Sequence, residues 1–368
     1  MARIGAPAPE GGPLCLGEGD TPLVRSRWIG PRLGLRGLYF KLEQTNPSGS
    51  FKDRFAARLV SEMLAQGQSL CVGTSSGNTG AAVAAYTAAA GLRCVLCVPQ
   101  EAPPAKLAQA RAYGARLLRV REMLGTPAAL RRLLDRLRHL AQREGLPLAV
   151  SAYACAPQAM AGIEPLGGEL LRALGSPPQR VFVPIGGGGL LVATARGLAT
   201  AGGTSTHVHG VQPLGNDTVV SALRAGEDRA REVPSSTRIS GLAVPLDLDA
   251  TAALRAIRDS GGAGHLIGDP LVWEVQGHLA RHEGLWVEPA GAASVAGLWR
   301  AAQEGQIGPH ESVVCLLTGH GLKGGGPAGD AAGDAGGDAA AEKPVVDADE
   351  IDGALLERLA SEATADPQ

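Results

Sequence analysis

Aromatic residues make up only 3% of this 368-residue chain, so its interior has to be assembled from leucine, valine, alanine and isoleucine. Neither charge is in excess. Thirty-four basic and 36 acidic side chains leave a formal net charge of −2, which gives no electrostatic basis for binding nucleic acid or an anionic membrane. No window reaches about 18 uninterrupted apolar residues, so no membrane span is expected. The opening stretch, MARIGAPAPEGG, lacks the apolar core of a secretory signal. Cysteine is sparse: six residues, at 15, 71, 94, 97, 155 and 315, mostly inside apolar runs. Cys94 and Cys97 have CxxC spacing, but residues three apart in a strand face opposite ways and do not grip one metal. Together these points set a reducing cytoplasm as the expected location.

What the chain does have is length, glycine and alternation. With 45% hydrophobic residues it can build one large domain or two medium ones, and its 52 glycines imply many tight turns. Short apolar runs at 70–72, 93–98, 116–120, 148–151, 181–184, 208–211 and 312–317 alternate with helical patterns near 81–90, 104–113 and 127–143. That alternation predicts an α/β fold, with open, twisted, mostly parallel sheets covered by helices on both faces. Ligands in such folds sit beyond the carboxyl ends of the strands. Three Gly-rich loops fall there: 73–80, 186–189 and 319–321. Residues 324–343 are low-complexity Gly/Ala/Asp, too poor in bulky apolar groups to offset ordering entropy, and predict a flexible linker over 324–346. The tail, 347–368, carries Ile351, Leu355, Leu356 and Leu359 on one face of a short amphipathic pattern.

One lysine stands in a distinctive setting. Asn46-Pro47-Ser48-Gly49-Ser50-Phe51-Lys52-Asp53-Arg54 puts Lys52 in a Gly/Ser/Pro turn just before a helical pattern from Arg54 to Leu64. A lysine on a helix flank ordinarily carries no chemistry, but this one occurs with several Gly-rich loops. Gly186, Gly187, Gly188 and Gly189 lie between a strand and a helix, where backbone N–H groups suit an anion. The loop is not a P-loop, because no Gly-Lys-Ser/Thr follows. It is not GxGxxG either, because Leu190 and Leu191 follow, so the Rossmann dehydrogenase fingerprint is missing. Thr74 to Gly80 is rich in hydroxyl and N–H groups, and Leu317-Thr318-Gly319-His320-Gly321-Leu322-Lys323 closes a strand.

These segments, with Leu16 to Leu23 and Val287-Glu288-Pro289-Ala290-Gly291-Ala292, resemble in order and spacing the threonine-synthase/dehydratase group of fold-type II pyridoxal phosphate enzymes, over about residues 16–323. Gly19 to Leu23, Asn46 to Arg54, Glu288 to Ala292 and Thr318 to Lys323 are nearest to threonine synthase. The resemblance implies pyridoxal 5′-phosphate as cofactor, tethered to Lys52 as a Schiff base. It implies that Asn78 bonds the ring oxygen, that Gly186 to Gly189 cradle the phosphate, and that Thr318 meets the pyridine nitrogen. A neutral hydroxyl there leaves a weaker electron sink and favours elimination and replacement over transamination. Thr74, Ser75, Ser76 and Thr79 would hold the substrate carboxylate, and Lys52 would remove the α-proton. The implied activity is threonine-synthase-like: O-phosphohomoserine and water to threonine and phosphate, or a related substrate. Alternatives are a threonine/serine dehydratase and a non-catalytic cofactor-binding paralogue. Implied partners are a small amino-acid substrate and a second copy in a homodimer. The catalytic region is expected over 1–323, with a smaller domain at about 70–155 inserted in a larger one (16–69 plus 156–323).

The chain also departs from that pattern. Threonine synthases usually carry asparagine where this loop is all glycine. After the fourth strand, the serine and arginine positions that grip a substrate phosphate fall on Ala154 and Ala159, and Glu164 adds a negative charge downstream. Weak binding of phosphorylated substrates is therefore expected. His278 and His282 share a helix face without a third metal ligand, and read as exposed polar residues. His320 and Lys323 have open roles. Glu43 and Asp53 either tune Lys52 or pair at the surface. Arg131 to Arg143 read as the solvated face of a helix packed through Leu133, Leu134, Leu137 and Leu140.

Overall fold

The computed structural model describes residues 12–75, 77–123, 126–323 and 345–361. Its strands, in chain order, are β1 (Leu23–Arg25), β2 (Gly37–Lys41), β3 (Leu70–Thr74), β4 (Arg93–Pro99), β5 (Arg116–Val120), β6 (Leu148–Ala149), β7 (Arg180–Pro184), β8 (His207–Pro213), β9 (Gly264–Ile267), β10 (Ser312–Leu316) and β11 (Val345–Val346). They form a six-stranded sheet, ordered β1-β2-β10-β7-β8-β9, and a five-stranded sheet, ordered β11-β5-β4-β3-β6. Every pairing is parallel except β1 with β2. The fold class is thus α/β with two mostly parallel sheets.

Parallel strands buried on both faces read as nearly unbroken apolar runs. Strand β4, RCVLCVP, is buried at every residue but its first. Cys94 and Cys97 belong to this interior, and burial pushes their thiols up to about 11 and about 12. A large apolar cluster, including Phe55, Val60, Tyr86, Leu96, Leu166 and Val183, draws residues from both sheets and their helices. A second, around Phe40, Phe182, Val211, Val295 and Leu298, belongs to the six-stranded sheet alone. Among the described residues no group of three or more His, Cys, Asp or Glu is placed to hold a metal, and no helix is long and apolar enough to cross a membrane.

Chain order puts the loops after β3, β6, β7 and β10 at the carboxyl ends of parallel strands, where they can converge. Helix Asn78–Ala89 starts three residues before the alanine run, because Asn78 and Thr79 find side-chain partners outside the helix. Helix Pro127–Glu144 is capped by Thr126, whose hydroxyl accepts from Ala129 N at 3.1 Å, and it buries Leu130, Leu133, Leu134, Leu137 and Leu140. Its outer face is not wholly solvated: Arg136 Nε donates to Ile351 O at 2.7 Å.

That bond ties down the C-terminal tail. Residues 324–344, where the linker was expected, lie outside the described residues. Val345 and Val346, at the end of that expected linker, pair instead with Arg119 and Val120 of β5. Asp347 and Glu350 form a capping box, and helix Gly353–Ser361 buries Leu355, Leu356 and Leu359, with Ile351, against Leu133, Leu137 and Leu140.

Candidate active site

The turn carrying Lys52 is held from two sides. On one side it is zipped to the loop after β10: Phe51 N donates to Thr318 O at 3.0 Å, and His320 N to Gly49 O at 2.9 Å. On the other side lies a buried ionic cluster. Arg54 makes two bonds to Glu43, both at 2.8 Å, and two to Glu169, at 2.6 and 2.8 Å. Lys41 Nζ joins Glu169 at 2.5 Å, Thr21 Oγ1 donates to Glu43 at 2.6 Å, and Asn46 Nδ2 donates to Glu43 O at 2.7 Å. The cations hold Glu169 down to about 2 against the opposing effect of its burial. Asp53 accepts from Ser48 N at 2.5 Å and from the Ser48 hydroxyl, while burial raises it to about 6. Glu43 and Asp53 are both fully buried, so the surface-pairing reading of these residues is corrected. Their partners are internal because the helix they serve begins inside the molecule.

Lys52 opens helix Lys52–Ala65, and its Nζ donates to Ser151 Oγ, just past β6. Ser151 Oγ stands 3.0 Å from Thr79 Oγ1. Burial lowers the Lys52 amine to about 8, opposed by the charges of Asp249 and Glu288. Glu288 precedes helix Pro289–Gln303 and accepts from Asn78 Nδ2 at 2.7 Å. Burial pushes its carboxyl up, opposed by that bond and by Lys323 and Lys52. Gly319 lies against this pair: a methyl group there would meet Glu288 Oε1 at 2.2 Å and Asn78 Nδ2 at 3.0 Å. Lys323 is not a free surface residue. Its Nζ donates to Ser48 O and to Gln109 Oε1, both at 2.6 Å. His320 accepts from Leu322 N at 3.2 Å and bridges Val287 through its backbone.

The four-glycine loop joins β7 to helix Gly189–Thr200. Gly188 has φ +98°, and a methyl group there would stand 2.6 Å from Asp249 O, so only glycine fits both the angle and the space. Asp249 N donates to Gly187 O at 2.9 Å. Glycines thus bring the loop within backbone contact of the segment before helix Ala250–Asp259.

Among the residues expected to hold a substrate carboxylate, Thr79 is beside Ser151. Thr74 is turned elsewhere, with its hydroxyl on Met123 Sδ at 3.7 Å, and Ser75 Oγ accepts from Gly77 N at 3.1 Å. Ser76 lies outside the described residues. Ala159 is 1% exposed and packed in the shared core, because its short helix is wedged against Lys52–Ala65. His278 and His282 are not simply exposed polar residues: His278 packs tilted against Trp28 at 5.0 Å between ring centres, and His282 stacks on it at 4.1 Å. Sequence reasoning missed Ser151, Asp249 and the function-facing position of Glu288. The rule that sites lie past strand carboxyl ends pointed to Ser151, whereas nothing in the local sequence marks Asp249.

Residues 14–319 match the family described as "Pyridoxal-phosphate dependent enzyme". The chain belongs to that family. It is 35% identical over 324 residues to a threonine synthase of Methanosarcina acetivorans, covering 84% of this chain and 76% of the relative. A threonine synthase of Mycobacterium tuberculosis is 31% identical over 318 residues, covering 84% of each. The crystal structure of a threonine deaminase from T.th. superposes with a TM-score of 0.66 at 27% identity, over 82% of this chain and 92% of that one. O-ureido-L-serine synthase superposes at 0.68 and 24% identity, over 87% and 95%, a likeness of fold. This family member is a pyridoxal-phosphate-dependent carbon–oxygen lyase, threonine-synthase-like. The site suits such a cofactor. A buried amine held partly neutral is a nucleophile for an aldehyde, and a glycine cradle at the start of a 12-residue helix offers N–H groups to a phosphate.

Proposed function

We propose that this lyase eliminates a β- or γ-leaving group from a small amino acid and adds water to the product, as a threonine-synthase-like enzyme. The observation that carries the reading is Lys52: a half-buried residue whose amine is lowered to about 8 and hydrogen-bonded to Ser151 beside Thr79. We assign the cofactor phosphate to Gly186–Gly189, its ring oxygen to Asn78, its pyridine nitrogen to Thr318, and its aldehyde carbon to Lys52. Bound pyridoxal phosphate supplies an electron sink that makes the substrate's α-proton removable. Lys52 takes that proton, and at neutral pH a group of this pKa is about one-tenth in the basic form. Ser151 and Thr79 orient its nitrogen and offer the proton an outlet. The N–H groups of Ser75 and Thr79 and the Thr79 hydroxyl hold the substrate carboxylate.

We assign residues 70–155 to the smaller unit and place the cleft between it and 16–69 plus 156–323. A homodimer in the cytoplasm completes the proposal, and sedimentation tests the assembly.

The functional test begins with the spectrum of the purified protein mixed with pyridoxal phosphate, followed by borohydride and mapping of the labelled peptide. Label on Lys52 is expected, and label elsewhere overturns the assignment. O-phosphohomoserine, L-threonine and L-serine are then supplied separately, with phosphate, threonine and 2-oxo acid assayed. Turnover abolished by Lys52→Ala is expected. A second reading, dehydration to a 2-oxo acid, is favoured by the all-glycine loop, and oxo-acid release without threonine formation would select it. A loaded protein with no turnover would select the non-catalytic paralogue.

A further inference from the structure

Next to Lys52 lies a turn built to take an anion, and it is already filled. Tyr153 N and Ala154 N are consecutive donors past β6, and both point at one carboxylate. Asp249 Oδ2 accepts from Tyr153 at 2.8 Å, and Asp249 Oδ1 accepts from Ala154 at 3.1 Å. Two adjacent N–H groups on one anion form the kind of nest that otherwise binds phosphate or a ligand carboxylate. The turn begins at Ser151, the residue that accepts from Lys52.

Asp249 is 4% exposed, and its position is fixed by the glycine loop as well. Its own N–H is bonded to Gly187 O. A methyl group on Gly189 would stand 2.9 Å from Asp249 Oδ2, 2.7 Å from Met160 Cε and 3.6 Å from Ser151 O. The carboxylate therefore stands where the glycine loop, the Ser151 turn and the Lys52 amine meet. Its charge reaches Lys52, and burial holds its own carboxyl above the ordinary range. Arg196, whose charge reaches Asp249, has partners of its own. Arg196 lies 4.2 Å over the Tyr153 ring and 3.8 Å from Glu164, which also accepts from Tyr153 Oη at 2.7 Å. A phosphate on a substrate side chain entering this corner would meet that negative charge and find Tyr153 N and Ala154 N taken, whereas the cofactor phosphate assigned to Gly186–Gly189 has that loop's own N–H groups.

We propose that Asp249 is a specificity-determining residue: by occupying the Tyr153–Ala154 nest beside Lys52, it selects amino acids whose departing group is a neutral hydroxyl over those that release phosphate. A departing β-hydroxyl leaves as water: the C–H bond at the α-carbon and the C–O bond break, and the departing oxygen takes up one proton. No separated charge has to be stabilised at this corner. The inference rests on the lyase reading above and deepens it.

The test uses two non-reacting probes with the same five-carbon amino-acid chain: L-norvaline, and L-2-amino-5-phosphonopentanoate, which adds a phosphonate. Each is titrated into the pyridoxal-phosphate-loaded protein and followed by the change in cofactor absorbance, a binding readout that needs no turnover. The wild type is expected to bind norvaline roughly tenfold more tightly, and Asp249→Asn and Asp249→Ala to move the ratio of the two affinities toward the phosphonate by roughly tenfold. The ratio is the decisive quantity, because loss of a merely structural contact weakens both probes alike. Asp249→Asn keeps one acceptor for the turn and serves if the alanine variant does not fold. Wild-type preference for the phosphonate, or an unchanged ratio in a loaded variant, overturns the proposal. Failure of the wild type to load cofactor on Lys52 would instead overturn the underlying lyase reading.

Discussion

Asn78 Nδ2 donates to Glu288 Oε1 at 2.7 Å, so a helix start that follows β3 of the five-stranded sheet is bonded to a helix start packed on the six-stranded one. The bond also places a buried carboxylate within electrostatic reach of Lys52. Glu288→Gln keeps an acceptor for Asn78 and removes the charge. Because that charge raises the lysine, the variant's Lys52 is expected to titrate below about 8. The pH dependence of the rate at which the cofactor-free protein takes up pyridoxal phosphate reads this directly. An unshifted or raised profile would show that Glu288 does not act on Lys52.

Ser151→Ala removes the acceptor that holds Lys52 Nζ. A hydrogen bond to a charged group contributes about 1.5–3 kcal/mol. The expected result is a fall in kcat of roughly tenfold or more with a smaller change in KM, because the amine is misaligned while Thr79 loses one neighbour and keeps its own hydroxyl for the carboxylate. Steady-state kinetics on whichever amino acid the enzyme turns over give the split.

Arg54→Met leaves Glu43 and Glu169 without their shared cation in the interior. Breaking a buried pair from one side destabilises by about 3–5 kcal/mol. Denaturant unfolding is expected to show a loss of that size, together with weaker cofactor loading, since the same arginine follows Lys52 in the helix.

Acid should destabilise the protein through a histidine pair far from the lysine in sequence. His209 and His265 lie 2.9 Å apart on β8 and β9, the first stacked on Phe182 and the second tilted against it, and Arg180 Nη1 is 3.2 Å from His209 Nε2. Arginine only donates, so His209 Nε2 accepts and its Nδ1–H is given to His265 Nε2. Burial, with the neighbouring positive charges, lowers the two rings to about 3 and about 4. These folded-state values lie below the unfolded value of 6.5, so the unfolded chain binds more protons in between. Stability is therefore unaffected by the pair above that value and falls as pH drops from it toward 4 and 3. The melting temperature of the wild type is expected to fall relative to that of a His209→Phe/His265→Leu double variant as pH drops from 7 to 4. A constant difference would rule out the pair as the source.

Leu356 is 1% exposed in the tail helix. Leu356→Ala is expected to cost about 2–5 kcal/mol, the range for a buried leucine that leaves a cavity. Thermal unfolding checks this, and a loss under about 0.5 kcal/mol, ordinary for a surface change, would mean that the tail is not docked in solution.

Most of the fold was legible because parallel strands announce themselves as apolar runs and glycines punctuate their carboxyl ends. Lys52, Asn78, Gly186 to Gly189 and Thr318 sit in recognisable local segments, and bonds and close approaches link those segments. What stayed hidden depends on distance along the chain. Asp249 reaches Tyr153 and Ala154 from 96 and 95 positions away, and Glu169 reaches Arg54 from 115. Burial was equally hidden: an acidic residue beside a lysine motif looks like surface until the helix start it lies against is known to be inside the molecule. Docking of the tail was masked by composition, because the Gly/Ala/Asp run before it drew attention away from two valines.

Those two valines settle the fate of a sheet edge. Val345 and Val346 occupy the hydrogen-bonding side of β5 at Arg119 and Val120. Uncovered, the strand RLLRV would offer an open ladder to any extended polypeptide, including the same segment of another copy. The tail thus insulates the protein from strand exchange. A shortened form ending at Lys323 would keep every residue named at the site and lose that insulation, and it is expected to form assemblies beyond the proposed homodimer that the 368-residue chain does not form.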